Sequence, residues 1–126
     1  MSGAGVQQRL FDYLGHMEEA VRLAVGYVED LNKIAFLSDK RTQQAVIMNI
    51  LILGEAAGKI AAEYPEFVNA HPQIPWREMR GMRNRMAHGY FDINLDIVWE
   101  TVQKALPELG NQIRKLSEFE SGVRIE

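Results

Sequence analysis

The chain has 126 residues, no cysteine, and a net charge of −3 from 14 basic and 17 acidic side chains. That length suits one domain with a hydrophobic core, and the lack of cysteine excludes disulfides and thiolate metal sites and fits a reducing cytosol. The acidic balance argues against broad binding of nucleic acid through its phosphates, so any contact with RNA or DNA must use a local patch.

Neither the N-terminus nor the most apolar run predicts export or membrane insertion. The sequence MSGAGVQQRLFDYL has no basic segment followed by an apolar one, which argues against a signal peptide. The run AVIMNILILG is ten residues long and is interrupted by Asn49, so it is too short to span a bilayer. We therefore expect a cytoplasmic protein without a membrane partner.

The first predicted helix covers about residues 6–36. Apolar residues alternate spacings of three and four along it and form a continuous seam on one face, whereas the acidic residues fall off the seam. Such a helix packs its seam against a bundle and leaves its acidic face in solvent. The seam consists of Leu10, Leu14, Met17, Val21, Ala24, Val28, Leu31 and Ala35.

The second predicted helix begins with Ser38 or Asp39 as its N-cap and ends near Tyr64, where the following proline disfavours helical geometry. Its middle is apolar on two sides, so it needs two packing partners, and a sister subunit could supply the second. Asn49 and Glu55 interrupt this surface, and we expect a buried amide and a partly buried acid. One apolar stripe is Val46, Ile50, Leu53, Ala57 and Ile60; the other is Ala45, Met48, Ile52 and Ala56.

Three prolines in EYPEFVNAHPQIPWREM separate the second helix from the third. They predict a short helical turn, a loop, and a long helix from about Trp76 to His88 with Pro75 near its first turn. Gly89 follows the last helical residue and is a typical C-cap. The cationic part of the sequence therefore lies on one helix and ends where that helix ends.

The last helical pattern starts with Asn94 as N-cap, and Pro107 should kink or split the helix near Ala105. No β pattern or repeat occurs, so we predict an all-α fold, an antiparallel bundle of four main helices plus a short helical turn. Residues 1–126 form a single domain in this prediction, with frayed ends at 1–5 and 118–126. The inward residues of the last helix are Ile97, Val98, Val102, Leu106, Leu109, Ile113 and Leu116.

The stretch RGMRNRMAHGYF places a cationic patch on the third helix. Arg80, Asn84 and His88 are four residues apart and share one face, and Arg83 lies on the adjoining stripe. One interpretation is structural, since cations in a last turn complement the helix dipole and exposed arginines form weak ion pairs. The other is functional, since Arg, His and Tyr are suited to handling a phosphodiester. From the residues alone the structural interpretation is the default, and the near absence of acids on this helix weakens it. Its buried side carries Met79, Met82 and Met86.

Other chemistries fit the sequence poorly. His16 and His71 lie on different predicted elements and no metal-ligand spacing occurs, so we expect no metal site. The glycines form no phosphate-binding loop, and the serines lie in loops or near the end of the chain, away from any catalytic arrangement. We therefore expect no cofactor.

The motif itself resembles a known signature. RNRMAHGY has the form R-N-x-x-x-H-x-Y, which is similar to the signature of the HEPN superfamily and specifically of HepT-like ribonuclease toxins. The resemblance covers most of residues 10–115, including NILILGEAA and IVWETVQKALPEL, and no motif position departs from the pattern. It implies a homodimeric helical bundle whose motif helices meet across the two-fold axis. Since Arg83 and His88 lie about 140° apart on one helix, two facing copies would surround a phosphate better than one.

The resemblance also implies an activity and a partner. The protein would be the toxin of a toxin–antitoxin pair, a metal-independent endoribonuclease that uses the RNA 2′-hydroxyl and pairs with an MNT-type nucleotidyltransferase antitoxin. By position its site residues are Arg83, Asn84, His88 and Tyr90. Arg83 would stabilise phosphoryl charge, His88 would exchange protons, and Asn84 would orient His88 or the phosphate. Arg80 would attract RNA, and Tyr90 would receive AMP from the antitoxin.

A different class of function stays open at this point. The chain would then be a catalytically silent dimeric binding module that docks a nucleotidyltransferase through its arginine-bearing helix. An RNA cleavage assay separates the two hypotheses, because only the enzyme loses an activity when a site residue is replaced.

Overall fold

In a computed structural model the backbone is described for residues 3–125 and the side chains for residues 8–117. Between residues 3 and 125 the chain forms helices and turns and no strand, which confirms the predicted all-α bundle. The predicted frayed ends, 1–5 and 118–126, have side chains outside the described residues. The α-helices are α1 (Gly3–Tyr27), α2 (Lys33–Leu37), α3 (Lys40–Glu63), α4 (Pro65–Ala70), α5 (Trp76–His88), α6 (Leu95–Glu100) and α7 (Leu106–Ile125).

The helix α3 is the centre of the bundle. It packs against α1 on one side and α5 on another, and α7 packs against α1. Its predicted inner stripe, which includes Val46 and Ile60, is fully buried. In the part of the chain that the structure describes, α3 is the helix long and apolar enough to cross a membrane, with a mean hydropathy of 1.6. Because half of that segment is buried inside the bundle, packing accounts for its apolar character.

The two ends of α3 agree with the prediction. Asp39 is the N-cap, since its carboxylate accepts hydrogen bonds from the Thr42 amide at 3.1 Å and the Thr42 hydroxyl at 2.6 Å. These bonds stabilise the ionised form and lower the pKa of Asp39. The helix ends at Glu63, and Tyr64 before the proline is its C-cap. The predicted buried amide is also present, because Asn49 donates to the Ala45 carbonyl at 2.9 Å.

The first long helix ends earlier than predicted. Instead of one helix over 6–36, α1 ends at Tyr27 and the short helix α2 follows after a turn. The Asn32 side chain accepts a hydrogen bond from the Ala35 amide at 2.8 Å and so caps a new helix. An asparagine in this role favours a fresh start over continuation. The apolar seam is nevertheless buried as far as Val28, because that residue still packs on the core.

The last helix is interrupted where the proline predicted a break. A π-helical segment, Thr101–Ala105, joins α6 to α7 just before Pro107. Such a segment adds a residue to the helical turn and shifts the phase of the side chains on either side of it. One assignment in the predicted inward set is wrong, since Ile97 on α6 is 53% exposed whereas the other predicted positions are buried.

Candidate active site

The helix α5 carries the cationic motif and is fixed at both ends. Its predicted bounds are confirmed: Pro75 is the N-cap and Gly89 the C-cap. The Trp76 indole is buried and donates to the His71 carbonyl at 3.0 Å, which holds the first turn against the preceding loop. The Gly89 amide donates to the Arg85 carbonyl at 2.8 Å and closes the last turn. Buried Met79 and Met86 and half-buried Met82 face the core, so the polar residues face outward.

A glycine of α3 lets α5 come unusually close. A Cβ atom added at Gly54 would lie 2.3 Å from the Arg83 Cβ and 2.9 Å from the Met79 carbonyl oxygen. No side chain fits there without moving a backbone, so only glycine allows this approach. This close contact involves the motif arginine. It therefore fixes the distance of Arg83 from α3 and its position along that helix.

The Arg83 guanidinium has two polar partners. Its Nη2 lies 3.0 Å from the Glu55 carboxylate of α3, and its Nη1 donates to the Asn84 side-chain oxygen at 3.0 Å. The Arg83 side chain keeps 35% of its surface exposed. Glu55, expected to be partly buried, is instead 55% exposed and paired with this arginine. Asn84 thus contacts the motif arginine. The sequence prediction named His88 or a phosphate as the group that Asn84 orients, and it did not include Arg83.

Arg83 lines a cavity between α1, α3 and α5. The cavity has a volume of about 440 Å³ and an open, mainly apolar lining. Tyr13 contributes its ring and also donates to the Glu63 carboxylate at 3.1 Å. Partial burial, together with this hydrogen bond, raises the pKa of Tyr13. The remaining lining includes His16, Ile52, Lys59 and Ala87.

His88 lines a different cavity. It is exposed at the last residue of α5, and its cavity of about 430 Å³ lies between α5, the turn after it and α6. Arg85, Met86 and Asn94 are among its neighbours there. Within one copy of the chain, the structure therefore brings Arg83 and Asn84 together but gives Arg83 and His88 separate cavities.

Tyr90 lies in a single turn of 3₁₀-helix, Tyr90–Asp92, just after α5. Its ring is 46% exposed, so it is not a core aromatic below the helix end. Its hydroxyl accepts a hydrogen bond from the Gln44 side chain of α3 at 3.2 Å. The next residue, Phe91, packs its ring edge-on against Tyr90 with centroids 5.9 Å apart and is 98% exposed. The tyrosine hydroxyl is thus accessible at the surface.

The rest of the predicted site is at the surface of α5. Arg80, Asn84 and His88 are all exposed, as their shared face predicts. Among the residues whose side chains are described, no group of three or more His, Cys, Asp or Glu side chains is arranged to hold a metal ion. Sequence reasoning missed the contact of Glu55 with Arg83, although a glycine inside a helical pattern, here Gly54, often has a packing reason.

Comparisons with known proteins agree with the motif. The family described as "Ribonuclease HepT-like" matches residues 17–116. A probable ribonuclease HepT of Thermococcus cleftensis is 39% identical over 105 residues, which cover 83% of this chain and 93% of that protein. A putative RNase of Methanocaldococcus jannaschii is 34% identical over 114 residues, covering 90% and 86%. A putative RNase of Caldanaerobacter subterraneus is 32% identical over 108 residues, covering 86% and 94%. No solved structure gives a significant match.

Proposed function

Since this chain belongs to the family of HepT-like ribonucleases, we propose that it is an endoribonuclease that cleaves RNA without a metal ion. The observation that carries the proposal is the motif arginine on α5, anchored by Glu55 and Asn84 and still partly exposed. A guanidinium held in this way is suited to stabilising the charge that develops on a phosphoryl group. Arg80, exposed on the same helix, adds local attraction for RNA on an acidic protein.

The proposed reaction uses the RNA itself as nucleophile. The ribose 2′-oxygen attacks the neighbouring phosphorus, the bond from phosphorus to the 5′-oxygen breaks, and a 2′,3′-cyclic phosphate forms. His88 takes the proton from the 2′-hydroxyl or gives one to the 5′-oxygen leaving group. Arg83, oriented by Asn84, neutralises the phosphoryl oxygens. DNA lacks the 2′-hydroxyl and is therefore not a substrate.

A homodimer is part of the proposal. Arg83 and His88 line different cavities of one copy, which supports a second copy facing α5 that would bring one of each to the same phosphate. The second apolar side of α3 supports such a contact, because Met48 is 55% exposed and Ile52 is 40% exposed. Exposed apolar side chains on one helix face are typical of protein interfaces. Sedimentation equilibrium at micromolar concentration should give a dimer, and a monomer would remove the basis for a shared site.

The activity is tested with purified protein, RNA and EDTA. We expect cleavage that leaves 2′,3′-cyclic phosphate or 3′-phosphate ends, and a loss of about 1,000-fold or more in rate for Arg83→Ala and His88→Ala with helical circular dichroism retained. His71→Ala is the control, because the Trp76 indole bonds the His71 backbone carbonyl, which that variant keeps. Dependence on added magnesium would contradict the mechanism. A wild-type dimer that leaves RNA intact would instead support the docking module.

We further propose that the protein is the toxin of a toxin–antitoxin pair and that its nucleotidyltransferase partner transfers AMP to Tyr90. The exposed hydroxyl, held by Gln44 beside the end of α5, is accessible to a partner enzyme. In this step the tyrosine oxygen bonds to the α-phosphorus of ATP and pyrophosphate leaves. The added phosphate and nucleoside would compete with RNA for the arginines and block the site.

Intact mass spectrometry after co-expression with the partner and ATP tests this regulation. We expect mass increases of whole AMP units that disappear in Tyr90→Phe. Tyr27→Phe is a matched control, because Tyr27 is 43% exposed but lies at the end of α1. An unmodified chain that is inhibited only while its partner stays bound would contradict covalent regulation.

A further inference from the structure

The Glu55 carboxylate occupies a position that needs an explanation. Glu55 lies on α3, whereas the motif lies on α5. Its carboxylate oxygen reaches across the contact between the two helices to within 3.0 Å of Nη2 of Arg83. An acid beside the arginine that must receive an RNA phosphate weakens the attraction for RNA. A residue with that cost does not promote RNA binding, and its contact with Arg83 instead bears on the geometry of the arginine.

Two contacts and one close approach together define the position of Arg83. Gly54 brings the two backbones together at the arginine, Glu55 holds Nη2, and Asn84 holds Nη1. A guanidinium carries five N–H donors in a planar fork. With both Nη atoms held, the fork cannot rotate freely, and its remaining donors keep one direction while the side chain stays 35% exposed.

A second ion pair on the same helix provides the comparison. Arg9 of α1 lies 3.1 Å from Glu63 of α3, and the exposed fractions of the two side chains are 58% and 35%. This pair has similar length and lies about two turns further along α3, but here the arginine is the more exposed partner, whereas Arg83 is less exposed than Glu55. Neither Arg9 nor Glu63 belongs to the motif, however, and the Glu63 carboxylate also accepts a hydrogen bond from the Tyr13 hydroxyl. Exposed ion pairs of this kind contribute little to stability. A gain in stability therefore does not explain why the Arg83–Glu55 pair lies beside the close helix approach at Gly54.

We propose that Glu55 is a positioning residue that holds the Arg83 guanidinium toward the RNA phosphate. The inference rests on the proposed ribonuclease function and adds a residue that acts through the arginine. Holding the fork before RNA binds removes the need to order a long side chain during the reaction. The negative charge of Glu55 also limits how tightly unreacted RNA binds, so its effect should appear in kcat and not as a requirement for binding.

Kinetics of Glu55 variants on a defined RNA test this role. Glu55→Ala should lower kcat about tenfold without raising KM, because the arginine loses its hold and the site loses an anion. Glu55→Gln should recover most of kcat, since a carboxamide oxygen still accepts the hydrogen bond, and, like Glu55→Ala, should not raise KM. Glu63→Ala, the matched control, should leave both constants unchanged. Thermal unfolding should differ little among the three variants.

Nitrogen-15 NMR of the arginine side chains tests the same inference without RNA, with the signal assigned through Arg83→Lys. In the wild-type protein and in Glu63→Ala, the Nη signals of Arg83 should be separate, because rotation of the guanidinium is slow. In Glu55→Ala they should average. Averaged signals in the wild-type protein, or a Glu55→Ala protein with wild-type kcat, would overturn the inference. A wild-type protein with separate signals that does not cleave RNA would overturn the proposed function and leave the positioning contact standing.

Discussion

Arg83 and His88 are five residues apart on one helix, yet their surroundings differ. Arg83 faces α3, where Gly54 allows close packing and Glu55 binds the guanidinium at 3.0 Å. His88 is exposed at the end of α5 and lines the cavity formed with the following turn and Asn94. The arginine therefore belongs to a packed helix pair, and the histidine belongs to a helix end.

The difference indicates how the two groups are positioned. The orientation of Arg83 depends on a contact between helices that are distant in sequence, whereas the position of His88 depends on local capping of α5 and α6. Changes to the packing of α3 should therefore act mainly on the arginine. Changes to the cap after α5 should act on the histidine.

Among changes to the residues that support the site, the largest effect is expected from Gly54→Ala. The added methyl group would meet the Arg83 Cβ at 2.3 Å and a backbone oxygen, so α5 must shift away from α3. Overpacking of this kind costs about 1–3 kcal/mol, and displacement of the arginine should lower RNA cleavage by about 100-fold. Thermal unfolding and the cleavage rate measure the two effects.

Gly110→Ala is the matched control for that variant. Its added methyl group would lie 3.0 Å from the Cγ1 of Val21, which is the end of a side chain on α1 and not backbone. We expect a smaller loss of stability and cleavage close to wild type, since α7 carries no site residue. Equal losses of cleavage in the two glycine variants would mean that general packing, and not the place of Arg83, sets the activity.

A smaller effect is expected on the histidine side from Asn94→Ala. The Asn94 side chain caps α6 by accepting from the amides of Asp96 and Ile97 at 2.9 and 3.2 Å. Loss of an N-cap costs about 1 kcal/mol, and cleavage should fall severalfold because the wall of the His88 cavity loosens. Asn32→Ala removes the cap of the short helix α2 and should cost similar stability with no change in cleavage.

The smallest effect concerns the start of α3, where Asp39 is the N-cap. Its pKa in the folded protein is below that of the unfolded chain, because Thr42 donates to the carboxylate. Ionised Asp39 therefore contributes stability at pH values above the unfolded pKa, and this contribution is lost as the pH falls through the folded pKa. Asp39→Asn keeps a capping oxygen without the titration. Urea unfolding should show the wild type losing more stability than Asp39→Asn on acidification.

Much of the fold could be predicted from local sequence signals. Asp39, Asn94 and Pro75 mark helix starts that the structure reproduces, because capping depends on residues within one turn. The end of α1 could not be found from the apolar seam, which continues past Tyr27 although the backbone turns there. Ile97 was also misplaced, because it and Val98 are consecutive apolar residues of α6 and only Val98 of the two faces the core.

The members of the candidate site stay a prediction from the sequence, whereas their contacts are seen only in the structure. Arg83, His88 and Tyr90 lie close together in sequence and were selected by spacing and family resemblance. The partners of these residues, Glu55 and Gln44, lie on α3 and reach the motif only through the packing of α3 against α5. No periodicity in one sequence encodes such a pair, although a glycine beside an acid in an apolar helix marks a place of close approach.

The most direct test of the central proposal, a site shared between two copies, is a mixing experiment. Arg83→Ala and His88→Ala proteins are each inactive in this account, but a mixed dimer holds one site with an intact arginine from one copy and an intact histidine from the other. After unfolding and refolding an equal mixture, RNA cleavage should recover to about one quarter of wild type, since half of the dimers are mixed and each has one intact site of two. Cleavage that stays as low in the mixture as in either variant alone would contradict the shared site.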